Sequence, residues 1–181
     1  YTQAAEAGWL GIGFPEEVGG SGGTLVEMLI MTEELTRSGS PGMAASLGSL
    51  AIAAPPILHA GTEEQHKTWL PKILSGEWIA ALAVTEPGTG SDVAGIRTRA
   101  VRDGDEYVVN GAKTFITSGI RADYVTTLVR TGGEGMEGVS FLGIETDRPG
   151  FRRGRNLSKM GWLASDTAEL FFSDVRLPAD A

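Results

Sequence analysis

Residues 83–92 read Ala-Val-Thr-Glu-Pro-Gly-Thr-Gly-Ser-Asp. Thr85, Thr89 and Ser91 offer hydroxyls that donate or accept as a partner requires. Gly88 and Gly90 leave bare backbone that a ligand can approach closely. Glu86 is the first charge after residues 78–84 (WIAALAV), an apolar run of strand length with no polar residue to mark a solvent face. Such a run reads as a buried strand or a short buried helix. Pro87, Gly88 and Gly90 then forbid a regular ladder, so an irregular loop must follow. Such a loop is rich in hydroxyls and bare backbone that a ligand could approach. The same residue types would also make a plain turn. Glu86 could serve as a base; a loop or cap carboxylate is the simpler reading.

Other chemistries are poorly supplied. There are no cysteines, which removes disulfides, thiolate metal sites and cysteine nucleophiles. The two histidines, His59 and His66, lie in helix-like sequence and read as surface or cap residues, so no metal site is expected. Two nucleotide motifs fail on inspection. Gly111-Ala112-Lys113-Thr114 resembles the end of a P-loop, but Ala112 stands where glycine is required and no helix follows. Gly11-Ile12-Gly13 opens a G-x-G whose third glycine position holds Glu16.

The order of residues carries more than their types. Residues 84–92 (VTEPGTGSD) resemble the V-T-E-P-x-x-G-S-D signature of acyl-CoA dehydrogenases. Residues 110–119 (NGAKTFITSG) are similar to that family's N-G-x-K-x-(W/F)-I-(T/S)-(N/S)-G. Lys159-Met160-Gly161-Trp162 with Ser165-Asp166-Thr167 resembles its K-M-G-x-x-x-S-x-T segment. The three matches fall in the family's order and cover essentially the whole chain.

The resemblance implies an FAD enzyme acting on an acyl-CoA substrate. It forms trans-2-enoyl-CoA and passes electrons to an electron-transfer flavoprotein, as in fatty acid beta-oxidation. It also implies a homo-oligomer, tetramer or dimer. Carried over by position, the FAD-contacting residues are Leu82, Val84, Thr85, Gly90, Ser91, Phe115, Ile116 and Thr117. Val84 and Thr85 would serve the flavin's pyrimidine edge, Thr117 the flavin N5, and Gly90 and Ser91 the pyrophosphate, with Ser91 also near the substrate's CoA. Phe115 replaces the tryptophan common in the motif, and Leu82 an aromatic residue. Phe115 and Ile116 could instead be plain strand core. The family's catalytic glutamate lies in a C-terminal helical domain, so no catalytic residue is expected within these 181 residues. A flavin-dependent oxidase of the same fold (acyl-CoA or nitroalkane oxidase) and a non-catalytic CoA- or flavin-binding module remain as alternatives.

The elements that must position these residues follow from pattern. Residues 1–81 read as helical and 82–181 as β, an α+β multidomain chain with an all-α part before an antiparallel sandwich or barrel. The ligand loop falls just past the junction, and clefts at such junctions are common ligand sites. Residues 24–37 place Leu25, Met28, Leu29 and Leu35 near one helical stripe. Thr62 and Gln65 have capping-box spacing, and Pro71 should kink or restart the helix that follows. In the second half, Asp103-Gly104 and Asn110-Gly111 both carry hairpin signals. Residues 131–138 (TGGEGMEG) read as a flexible loop.

Composition sets outer bounds. With 41% hydrophobic and 21% charged residues the chain is ordinary for a globular protein. The net charge of −8 argues against nucleic acid. No uninterrupted apolar run approaches the roughly 20 residues of a membrane span, and the start lacks a signal-peptide pattern. The expected location is cytoplasmic in a bacterium and the mitochondrial matrix in a eukaryote. Arg148, Arg152, Arg153, Arg155 and Lys159 form a basic run that could meet an anion or simply be solvated.

Overall fold

The structure, a computed structural model, describes residues Tyr1–Ala181. It divides into two compact units. One comprises Tyr1–Ala80 with Lys159–Ser165; the other comprises Ala81–Ser158 with Asp166–Ala181.

The first unit is helical: α1 (Thr2–Glu6), α2 (Leu25–Arg37), α3 (Pro41–Gly48), α4 (Leu50–Ala53), α5 (Pro55–Ala60) and α6 (Glu63–Leu74). Local signals set the starts. The Thr24 hydroxyl accepts from the Val26 amide while Glu27 accepts from the Thr24 amide at 2.7 Å, closing a capping box before α2. Thr62 and Gln65 do the same for α6 as expected, at 2.8 and 3.2 Å. Prolines begin α3 and α5, where a missing N–H costs nothing. Helix α6 passes through Pro71 without restarting. By length and composition alone, Pro41–Ala60 could cross a bilayer. Here it is three short helices, with Leu50, Ala53, Ala54 and Ile57 buried in the unit's core.

The stripe expected on α2 is only partly correct. Leu35 is buried, but Leu25 and Leu29 are 67% and 59% exposed, with Val26 and Ile30 beside them on an outward apolar face. Periodicity identifies a face; it does not say whether the rest of the chain covers it.

The second unit is built on one seven-stranded sheet, whose first strand begins at the last residue of the first unit: β1 (Ala80–Ala83), β2 (Arg99–Asp103), β3 (Glu106–Thr117), β4 (Tyr124–Arg130), β5 (Val139–Glu145), β6 (Phe151–Asn156) and β7 (Thr167–Pro178). The order is β1-β4-β2-β3-β7-β6, with β5 also on β4. The β2–β3, β3–β7, β4–β5 and β6–β7 pairs are antiparallel as expected, whereas β2 meets β4 in parallel at Arg99 and Arg130, which makes the sheet mixed. All seven residues of β4 are buried. The core gathers Val109, Ile116, Val125, Val129, Leu170, Val175 and Leu177.

Three local expectations resolve differently. Asp103-Gly104 does turn the β2–β3 hairpin, pairing Asp103 with Glu106. Asn110-Gly111 makes no turn: β3 runs straight through it with a slip in its register against β7. The Asn110 amide instead donates to Asp174 Oδ1 at 2.9 Å, and Asn110 Oδ1 accepts from the Asp174 amide at 3.0 Å. Residues 131–138 lie against Arg130, whose guanidinium donates to the carbonyls of Gly133 and Gly135. The basic run is largely absorbed. Arg153 donates to Ala122 O and Thr146 Oγ1, Arg148 and Arg155 pair with Glu145 and Glu169, and Arg152 lies over the Phe171 ring.

Candidate functional site

The apolar run ends its pairing at Ala83, and the chain beyond is tied to β3 by its carbonyls. Val84 O accepts from Lys113 Nζ at 2.9 Å and Thr85 O accepts from the Thr114 amide at 2.8 Å. Glu86 then folds inward. Its carboxylate accepts from the amides of Arg97 (2.7 Å) and Thr98 (2.9 Å) and from Lys113 Nζ (3.0 Å). The pair is deeply placed: Lys113 is 0% and Glu86 7% exposed. Glu86 is thus a loop-organising carboxylate, not an open base.

The electrostatics agree with that role. Burial alone would raise the Glu86 carboxyl, but hydrogen bonds from Arg97, Thr98 and Lys113 outweigh it and hold the group below the usual carboxylate range. Burial pushes the Lys113 ammonium down, and Glu86 opposes this. The result is an ammonium facing a carboxylate behind the loop.

Beyond Glu86 the chain turns tightly. The Glu86 amide donates to Thr89 O at 2.9 Å and the Thr89 amide returns to Glu86 O at 3.1 Å, leaving Pro87-Gly88 at the tip. Around this anchor the donors are unspent. The amides of Thr85, Gly88, Gly90 and Ser91 and the hydroxyls of Thr85 and Ser91 make no hydrogen bond within the chain. Neither Gly88 nor Gly90 has the left-handed φ that favours glycine, and a Cβ on either would meet nothing within 4 Å. The turn and the packing therefore do not require these glycines. Bare backbone, free amides and open space together form a cradle for an outside group, above all an anionic one.

The second cluster lies on the end of β3. The β3–β7 register slips between Lys113 and Ile116, and within that bulge Phe115 takes φ 61° and is 67% exposed. A left-handed aromatic residue is an uncommon outlier, and bulges recur beside functional sites. The Thr114–Thr85 hydrogen bond places this bulge directly beside the loop. Thr117 ends the strand half-buried opposite Thr167, its hydroxyl without a partner in the chain.

Val84, Thr85, Gly90 and Ser91 share one loop, and Phe115 and Thr117 stand on the adjoining strand end. Leu82 is half-buried within β1. The Ile116 side chain is 2% exposed in the β core, the alternative left open for it. Sequence reasoning missed the Lys113–Glu86 pair. The signal was available: two opposite charges, each in an otherwise apolar stretch that must be buried. Beside the loop, a cleft of about 540 Å³ is lined by Asp92, Ile96, Arg97, Arg99, Arg130 and Glu134. Arg130 spends its guanidinium on carbonyls, leaving Arg97 and Arg99 as the cleft's exposed cations.

Comparison with known proteins identifies the family. Residues 1–77 match the family model for the acyl-CoA dehydrogenase N-terminal domain, and residues 81–175 that for its middle domain. The chain is 44% identical over 184 residues to the mitochondrial long-chain specific acyl-CoA dehydrogenase of Mus musculus, covering 100% of this chain and 43% of that protein. Among solved structures, a probable acyl-CoA dehydrogenase from Mycobacterium abscessus superposes with TM-score 0.94 at 58% identity, over 99% of this chain and 48% of that one. An acyl-CoA dehydrogenase complexed with FAD from Bacillus anthracis gives 0.91 at 36% identity, over 99% and 31%. The chain thus spans less than half the length of the relatives it matches.

Proposed function

The chain belongs to the acyl-CoA dehydrogenase family, and from that membership we propose that it is the FAD-cradling part of an enzyme that dehydrogenates an acyl-CoA thioester to the trans-2-enoyl-CoA. The observation that carries the reading is the loop at 85–91, with its unspent amides, open glycines and rigid anchor. These residues fit FAD. Thr85 would donate to the flavin's pyrimidine edge, and Gly90 and Ser91 to the pyrophosphate. Phe115 would cover the ring system, and the Thr117 hydroxyl would stand near the flavin N5. Leu82, Val84 and Ile116 would supply the strand ends that hold these groups at fixed spacing.

When bound, FAD accepts the hydride that leaves the substrate's β-carbon. The protein's share would be to hold the cofactor between the loop and the end of β3, exclude water from it, and offer hydrogen bonds to the edge where negative charge develops. Arg97 and Arg99, in the adjoining cleft, carry the charge that a CoA phosphate would need. The base that removes the α-proton would come from outside these residues, since Glu86 is buried and fully engaged. An electron-transfer flavoprotein as acceptor, a homotetrameric or dimeric assembly, and a role in beta-oxidation belong to the same reading. So do residues 1–81 and 82–181 as working domains, and location in a bacterial cytoplasm or a mitochondrial matrix.

The test is spectroscopic. The purified whole protein should carry the visible bands of oxidised flavin, and acyl-CoA should bleach them anaerobically until an electron-transfer flavoprotein restores them. Oxygen consumption without that acceptor would make it an oxidase. Flavin bands that no acyl-CoA bleaches would reduce it to a binding module.

A further inference from the structure

Lys113 sits behind the loop. Its Nζ, inaccessible to solvent, donates to Val84 O at 2.9 Å and to Glu86 Oε1 at 3.0 Å. Val84 O belongs to the same peptide unit as the Thr85 N–H, which makes no hydrogen bond within the chain. Amide resonance links the two ends of that unit. A cation bonded to the carbonyl draws electron density away from the nitrogen, and hydrogen bonds in series strengthen one another at low dielectric. The Thr85 N–H is therefore a stronger donor than an ordinary backbone amide. Geometry fixes it as well, since the following carbonyl is tied to Thr114.

Stability alone does not explain this arrangement. An apolar side chain of similar volume would fill the space behind the loop without desolvating two charges. Glu86 alone could brace the loop through the amides of Arg97 and Thr98. What the lysine adds is positive charge on one specific carbonyl.

We propose that Lys113 is a positioning residue that sets the donor strength of the Thr85 amide, and through it the preference of the site for reduced over oxidised flavin. This rests on the cofactor reading above, in which Thr85 faces the flavin's pyrimidine edge.

The test uses the whole FAD-loaded protein and reads the flavin's two-electron midpoint potential alongside its FAD affinity. In the double variant Lys113→Met/Glu86→Gln no carboxylate is left buried and unpaired. It should bind oxidised FAD within a few-fold of wild type yet favour the reduced form tenfold less, a fall of about 30 mV. Glu86→Gln alone, read at a pH low enough to keep Lys113 protonated, removes the ammonium's counter-charge and should move the potential upward. Opposite signs are what a merely structural role would not produce. A double variant at the wild-type potential, or a downward or absent shift in Glu86→Gln, overturns the lysine's role and leaves the cofactor reading standing. A wild-type protein that binds no FAD overturns both.

Discussion

Replacing Gly90 by alanine asks whom the bare backbone of the 88–91 loop serves. If the chain kept this glycine for its own fold, a methyl group there would strain or crowd it. The structure shows neither: φ lies outside the left-handed region and the added Cβ meets nothing within 4 Å. Alanine at such a position narrows the unfolded ensemble and stabilises by roughly 0.4–1 kcal/mol. For a chain of this size that raises Tm by about 1–4 °C. A ligand seated on the loop meets the methyl directly. Forcing an extra carbon into a close contact costs about 1–3 kcal/mol, which is roughly a 5- to 150-fold loss in affinity. Scanning calorimetry of the ligand-free protein and titration of flavin fluorescence would read the two effects separately. Unchanged FAD affinity would mean that nothing approaches this backbone. A large fall in Tm without ligand would mean that the glycine serves the fold. Either result would remove the main support for the cradle.

Gly111→Ala should behave in the opposite way. Its φ is +152° and a Cβ would lie 2.5 Å from Thr98 Oγ1 and 2.7 Å from Thr98 Cα. Strain and overpacking together should cost about 4 kcal/mol, seen as a Tm lower by roughly 8–16 °C. Because the Thr98 amide braces Glu86, flavin affinity should fall as well; a variant with wild-type Tm would show that β3 can shift here. For pH, Glu86 is held below its usual 4.5, so its contribution to stability is present above that value and lost as pH falls through the lower folded value. Denaturant unfolding followed from neutral to acid pH should show this loss, and Glu86→Gln should flatten that part of the curve. An unaltered slope in the variant would remove Glu86 as its source.

What the sequence revealed and what it hid divide along chain distance. The break after the apolar run at Pro87-Gly88, the capping box at Thr62 and the turn at Asp103-Gly104 are settled by residues within a few positions of one another. Asn110-Gly111 carries an equally good turn signal, yet Asp174, 64 residues away, captures the Asn110 side chain and keeps β3 continuous. Lys113 and Glu86 are 27 residues apart, and neither shows its role until β3 lies against the loop. Phe115 and Ile116 could not be told apart by type, since both are apolar in one strand. The bulge, a register event between β3 and β7, turns one outward and the other inward. On α2, Leu25 and Leu29 fit a buried stripe by spacing, but spacing does not supply the surface that would bury them.

The seven residues Lys159–Ser165 group with the helices although they fall between β6 and β7. There the backbone of Trp162 and Ala164 lies so close to Gly42 that a Cβ on that glycine would come within 2.9 Å of either. A ribosome delivers the chain from its N-terminus, so this closing piece emerges some eighty residues after Ala80, roughly 4–16 s later at 5–20 residues per second. Throughout that interval α3 waits with Gly42 uncovered. The helical unit, although first to leave the tunnel, cannot be finished before most of the sheet has been synthesised, and a gene truncated after Ala80 would encode a unit lacking its last part.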